Sequence, residues 1–282
     1  MSAITLDQAI ANVRDLPTLP LIVTELISSF EQSDVSVGEL AAKVSKDQAL
    51  TAKTLRLANS SFYGLQCKVR TIEQAIAVLG FDSVRALVTS AGIIGNFGAG
   101  GAGSFDFTAF WRHAVGTALC AKSLARLAKC NQEFAFVSGL LHDIGRLVLV
   151  TGFPAQYADV IAYRVANDCD ILHAERSVLG PDHTVVGRAL AEHWKFPQLI
   201  QRAIAHHHAP MAQDLGDIAS VVHVANAIVH ALDLAGQADE LVPAIAQNAW
   251  DSLRIDNAGL RCVFVETESE FENACQILTA SN

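Results

Sequence analysis

The chain has 282 residues, a net charge of −9 and a pI near 5.5. Hydrophobic residues make up 51% and charged residues 17%, which excludes a disordered chain and leaves enough apolar material for one large core or two smaller ones. The acidic balance argues against general nucleic-acid binding, which needs a basic face, but leaves room for a local basic patch.

Met1 to Asp7 has no basic stretch and no apolar core of a signal peptide. The cysteines at 67, 120, 130, 169, 262 and 275 form no CxxC pair and are predicted to be reduced core thiols. A cytoplasmic protein is expected. Capping boxes mark three early helix starts, at Thr5–Gln8, Ser36–Glu39 and Thr71–Gln74. After Ser36, Val37, Leu40, Ala41 and Val44 form one apolar stripe. Leu50, Leu55, Leu57 and Ala58 continue the helical pattern after Asp47. Ala86 to Phe105 is twenty residues without a charge, long enough to cross a bilayer. Its second half, Gly95 to Ser104, is mostly glycine and small residues, so a helix end and a flexible linker are predicted instead of a membrane span. That linker divides an N-terminal helical unit, residues 1–100, from a second unit, 101–282. In the second unit helices are predicted at 105–130, 131–152, 154–168, 170–180, 183–195, 197–208 and 214–235, with a weaker tail to 282. Trp250, Leu253 and Ile255 suggest a packed helix in the tail, and Glu266 to Glu272 a solvated face. The only strand candidate is Arg261 to Val265. The predicted class is all-α, an N-terminal bundle followed by a metal-binding bundle.

The metal prediction starts from Phe134 to Val150, an apolar run interrupted by His142, Asp143 and Arg146. An unpaired buried carboxylate is costly, so Asp143 needs a cation, a metal or hydrogen-bond donors. His113, His183, His207 and His208 are available partners. Imidazoles with a carboxylate suit one or two ions of Fe, Mn, Zn or Ni. Neighbours on a helix point about 100° apart, so His142 would face one ion while Asp143 is shared with a second. His207 and His208 reach one site only near the helix end that Pro210 sets. A single histidine on an apolar helix is more often a hydrogen-bonded core residue than a ligand. His173, His193, His206, His223 and His230 are therefore assigned structural or surface roles.

These residues resemble the HD superfamily of metal-dependent phosphohydrolases. The order His113, His142-Asp143, His183, His207-His208 is similar to the HD-GYP branch, which hydrolyses cyclic di-GMP. The N-terminal half resembles a narrower family, the HDOD (HD-related output) domain, in Leu16-Pro-Thr-Leu-Pro20, Asp47-Gln-Ala-Leu50, Leu55-Arg-Leu-Ala-Asn-Ser60, Tyr63-Gly64 and Ala75-Ile-Ala-Val-Leu-Gly80. His183-Thr-Val-Val-Gly187, Trp194-Lys-Phe-Pro197 and Ala203 to Pro210 agree, and the resemblance spans about residues 15–235. It implies an all-α bacterial signalling module, a class that commonly loses its metal ligands and acts without catalysis. It also implies His113, His142, Asp143, His183, His207 and His208 as metal ligands, with the last ligand position of the active branch falling at Asn226. Arg146 stands where that branch has lysine and would clamp phosphate. Ala209 replaces an acidic residue, and Met211 to Gly216 replaces the Gly-Tyr-Pro segment.

Three functions fit. One is a regulatory or scaffold module for a signalling protein partner, its metal structural or vestigial. Another is a metal-dependent phosphohydrolase of nucleotides or cyclic dinucleotides. The third is a nucleotide receptor that does not hydrolyse.

Overall fold

A computed structural model describes residues 4–15, 19–31, 36–60, 63, 65–97, 105–214, 216–236 and 241–279. Among them all regular structure is helical, as the sequence predicts. The first half carries α1 (Leu6–Asp15), α2 (Leu21–Ser28), α3 (Val37–Val44), α4 (Gln48–Ala58), α5 (Ile72–Leu79) and α6 (Phe81–Phe97). The capping boxes begin α1, α3 and α5. At α1 the exchange is complete: Gln8 N donates to Thr5 Oγ1 at 3.2 Å, and Thr5 N to Gln8 Oε1 at 2.8 Å. At α5 the amide reaches one residue further, and Gln74 Oε1 accepts from Arg70 N. On α3, Ala41 and Val44 are buried, Val37 is exposed, and the Leu40 side chain lies outside the described residues. Most of the predicted linker, 98–104, also lies outside them, as do Leu16, Pro17, Thr18 and Gly64 of the HDOD-like motifs.

The second half is built on α7 (Phe107–Ala128). Sixteen of its residues are buried, so it is wrapped on nearly all sides, as its scarcity of charge requires. Around it pack α8 (Gln132–Leu141), α14 (Ile218–Ala231) and α16 (Asn257–Thr279). Close α7–α8 packing depends on Gly139, where an added Cβ would lie 2.8 Å from the Thr117 carbonyl. The remaining helices are α9 (Ile144–Gly152), α10 (Pro154–Asn167), α11 (Ile171–Val178), α12 (His183–His193), α13 (Gln198–His206) and α15 (Gln247–Leu253). Of these, α9 packs on α12, α10 on α11, and α13 on α12 and α14.

Four sequence expectations need correction. Of the six cysteines expected in the core only Cys120 and Cys275 are buried, while Cys67 and Cys262 are exposed. The predicted 131–152 helix is broken at His142-Asp143, between α8 and α9. The strand candidate Arg261–Val265 lies inside α16. Its alternation is one stretch of an amphipathic helix whose buried positions are Val263, Thr267, Phe271, Ala274, Cys275 and Leu278. The tail is thus no weak appendage, since α16 packs against both α7 and α4. Its predicted solvated face is partly anchored. Glu266 pairs with Arg126 and Glu272 with Arg112, while Thr267 and Phe271 point inward.

One apolar core runs from Ile4 through α6, α7 and α9 to Leu278, and a second lies between α7, α14 and α16. A buried ion pair, Lys122–Glu133 at 3.0 Å, links α7 and α8. Tyr63 and Ser83 of the first half hydrogen-bond to its two members. The Gln132–Gly152 stretch is long and apolar enough to span a membrane, but 83% of its apolar window is buried inside the fold.

Candidate metal centre

The break between α8 and α9 makes the site. His142 ends α8 and folds back so that its Nδ1 lies 2.7 Å from the Gly139 carbonyl. His207 ends α13 in the same way, its Nδ1 2.9 Å from the Ile204 carbonyl. Carbonyls at a helix end lack intrahelical donors, and each ring satisfies one of them. A carbonyl only accepts, so both Nδ1 atoms carry the proton. In the neutral rings both Nε2 atoms then present a lone pair. His183, first residue of α12, is fixed by Glu175 of α11. Glu175 Oε2 lies 2.7 Å from His183 Nδ1 and 2.8 Å from its backbone nitrogen, so this Nδ1 is also the protonated one.

Asp143 stands at the N-cap of α9, where an aspartate usually accepts from the first free N–H groups. Here its side chain makes no capping bond. The carboxylate turns into the site instead. Arg146 Nη1 donates to Oδ2 at 3.1 Å, while Oδ1 is buried and makes no hydrogen bond. Around Oδ1 stand the Nε2 atoms of His183, His207 and His142, at 3.2, 3.3 and 3.6 Å. His208 Nε2 lies 3.1 Å from His183 Nε2. On the other side, His113 Nε2 is 3.2 Å from His142 Nε2 and 2.9 Å from Asn226 Oδ1. Two overlapping donor groups result, Asp143-His183-His207-His208 and His113-His142-Asp143.

Every residue singled out in the sequence for this site therefore falls in one of these two groups or, as Asn226 and Arg146 do, touches a member of one. The geometry differs in one respect: the His142-Asp143 divergence comes from a helix break, not from neighbouring positions on one helix.

Burial dominates the electrostatics. It pushes the His142 pKa down to about 3, further helped by His207 and His183 and opposed by Asp143. Burial also lowers His113 and His208 well below the ordinary range. For His183 burial works the same way, but Glu175 and Asp143 outweigh it and raise the pKa to about 10. Burial alone would raise Asp143. Its histidine neighbours, His142 and His183 first, outweigh burial and hold the carboxyl well below the usual carboxylate range. The His142 and His207 lone pairs and the Asp143 oxygen face one point, and His183 Nε2 joins them as a further donor once a metal displaces its proton. The donor set, nitrogen with oxygen, fits a divalent transition ion.

Sequence reasoning missed several neighbours. Glu175 and Tyr157 are fully or almost fully buried beside the site. His230, assigned a structural or surface role, stacks on His113 with ring centroids 4.4 Å apart. It lines a cleft of about 940 Å³ with Asp143, Arg146, His208 and Asn226. Arg164, Arg176 and His173 line the same cleft. His230 follows Asn226 by four on α14, a spacing that puts both on one face and could have revealed it. His223 does have the structural role assigned to it. Its Nδ1 donates to the His207 carbonyl at 2.7 Å and its Nε2 accepts from Ala246 N at 2.9 Å. His206 binds Asp214 at 2.7 Å and holds the turn that follows α13.

Comparison with known proteins identifies the family and agrees with the fold. A family model described as HDOD domain matches residues 16–210. A solved structure from Shewanella amazonensis SB2B, described as a candidate phosphohydrolase, is 30% identical; the match covers 96% of this chain and 98% of that one, with a TM-score of 0.78. An HDOD domain protein of Geobacter sulfurreducens shares the fold at 24% identity, covering 97% and 98% of the two chains, also with a TM-score of 0.78. An uncharacterized protein of Treponema pallidum (strain Nichols) is 26% identical over 233 residues, 78% of this chain but only 43% of that longer protein.

Proposed function

This chain belongs to the HDOD family, and from that premise we propose that it is a metal-binding regulatory module of a signalling system. The carrying observation is the convergence of the His142, His183 and His207 Nε2 atoms on a buried Asp143 oxygen that has no hydrogen bond. Asp143, His183, His207 and His208 would hold one divalent ion of Fe, Mn, Zn or Ni. His113 and His142, with Asp143 shared, would hold a second more weakly. Asn226 offers that second position a neutral amide oxygen where a carboxylate would bind a cation more strongly. This imbalance favours a role in binding and regulation over turnover. Partners would be a signalling protein or a nucleotide-type ligand seated in the cleft.

A second reading, a phosphohydrolase, is favoured by one observation: Arg146 lies in the cleft and touches Asp143 at 3.1 Å. Its guanidinium, kept charged and raised in pKa by Tyr157 and Asp143 against burial, would stabilise charge on a phosphoryl group. A bound divalent ion would supply Lewis acidity and a water of lowered pKa. The description of the Shewanella relative supports this reading by similarity.

The test is calorimetric titration of Mn²⁺ into chelator-treated protein, followed by assays on nucleotides and cyclic dinucleotides. Saturable binding that disappears in Asp143→Ala, without turnover, is the expected result. Turnover that disappears in Arg146→Ala would favour the second reading. Metal uptake unaffected by Asp143→Ala would contradict both.

A further inference from the structure

Asp143, Arg146, Tyr157, Glu175 and His183 form a closed ring of contacts. Arg146 Nη1 donates to Asp143 Oδ2 at 3.1 Å, and its Nε donates to Tyr157 Oη at 3.1 Å. Tyr157 Oη donates to Glu175 Oε1 at 3.1 Å. Glu175 Oε2 accepts from His183 Nδ1 at 2.7 Å, and His183 Nε2 returns to Asp143 Oδ1 at 3.2 Å. Glu175 is fully buried, and Tyr157 almost so. A buried carboxylate is costly unless its oxygens are satisfied. Both oxygens of Glu175 are satisfied, and all of its partners belong to this ring.

Resting on the metal-binding reading above, we infer that Glu175 is the positioning residue of the metal centre. It fixes the His183 ring with the proton on Nδ1, so that Nε2 faces the ion. Through Tyr157 and Arg146 it also fixes the second oxygen of Asp143. Glu175 touches no ion itself. A carboxylate bound to the far nitrogen of a metal-binding histidine orients the ring and strengthens it as a donor. Here one carboxylate would support two ligands, His183 directly and Asp143 through two intervening side chains. The backbone bond from His183 N to Glu175 fits a second, purely structural duty at the start of α12. A glutamine would keep an acceptor for both His183 nitrogens and lose the negative charge, which separates the two duties.

The experiment titrates Co²⁺ into chelator-treated wild type, Glu175→Gln and Tyr157→Phe, read by calorimetry and by the visible spectrum of the bound ion. Circular dichroism checks folding. Glu175→Gln should weaken Co²⁺ binding about 10- to 100-fold and alter the spectrum. Tyr157→Phe, with the direct contact to His183 left in place, should show a smaller loss. Folded Glu175→Gln with wild-type affinity and spectrum would overturn the inference and leave the metal reading standing. No Co²⁺ binding by wild type would overturn both. A second measurement on wild type covers the case in which Glu175→Gln does not fold. Nitrogen-15 NMR of the Zn²⁺-loaded protein should find the His183 proton on Nδ1, and a proton on Nε2 would overturn the inference.

Discussion

Replacing Gly145 with alanine should damage the site without touching any ligand. Gly145 sits two residues after Asp143, where α9 meets the first turn of α12. A Cβ there would lie 2.0 Å from the His183 carbonyl oxygen and 2.6 Å from the Gly187 nitrogen. Ordinary contact begins at 3.4 Å, so α12 would have to retreat by about 1.4 Å. The obstacles are backbone atoms, which cannot rotate away as a side chain can. Overpacking of this kind costs about 1–3 kcal/mol, and backbone obstacles put it at the upper end. At ~2–4 °C per kcal/mol for a chain of this size, the melting temperature should fall by up to about 12 °C. The same retreat carries His183 away from Asp143 Oδ1, now 3.2 Å distant. Binding sites tolerate only ~0.5 Å of displacement, so divalent metal affinity should fall about 10-fold or more. Thermal melts with chelator and with Mn²⁺, together with metal titration, measure both effects. Gly38 on α3 is the control, since an added Cβ there meets nothing within 4 Å. Alanine at Gly38 should be neutral or stabilise by up to about 1 kcal/mol. Gly145→Ala with wild-type melting and metal affinity would refute the close α9–α12 approach on which the site depends.

Two further predictions concern charge. Asn226→Asp adds a carboxylate 2.9 Å from His113 Nε2 and should raise metal content per chain, measured by elemental analysis; unchanged content would remove Asn226 from the site. The metal-free protein should be most stable near pH 6.5. In the folded state His142 is held near 3 against 6.5 in the unfolded chain, so its contribution is complete above 6.5 and is lost as pH falls toward 3. For His183, raised to about 10, the contribution is complete below 6.5 and is lost as pH rises toward 10. Urea unfolding across pH in chelator should show both limbs, and an alkaline limb that survives His183→Gln would contradict the assignment.

The sequence made the all-α class legible because capping residues and apolar periodicity agree along most of the chain. Capping at Thr5 and the largely apolar character of α7 and α14 are direct products of local chemistry. The site was legible through one anomaly, a His-Asp pair inside an apolar run. The break at that pair was not, because residues 134–150 keep their apolar character through it. At the break the His142 ring bonds the Gly139 carbonyl and the Asp143 side chain faces distant histidines instead of capping α9. Glu175 was hidden for another reason. It stands between Ala174 and Arg176 on a helix with exposed charges, where a glutamate ordinarily faces solvent. Only the folding of α11 against α10 and the start of α12 turns it inward. Arg261 to Val265 misled through a short alternation that the full length of α16 resolves into a helical face.

The most direct test of the account is the metal content of protein purified without chelator and again after reconstitution with Fe²⁺, Mn²⁺, Zn²⁺ or Ni²⁺. Convergent imidazole nitrogens around a buried carboxylate predict about one to two ions per chain, reduced by His183→Ala and by His207→Ala. A chain that stays metal-free under every one of these conditions would contradict it, and the histidines would then be core residues of a purely protein-binding module.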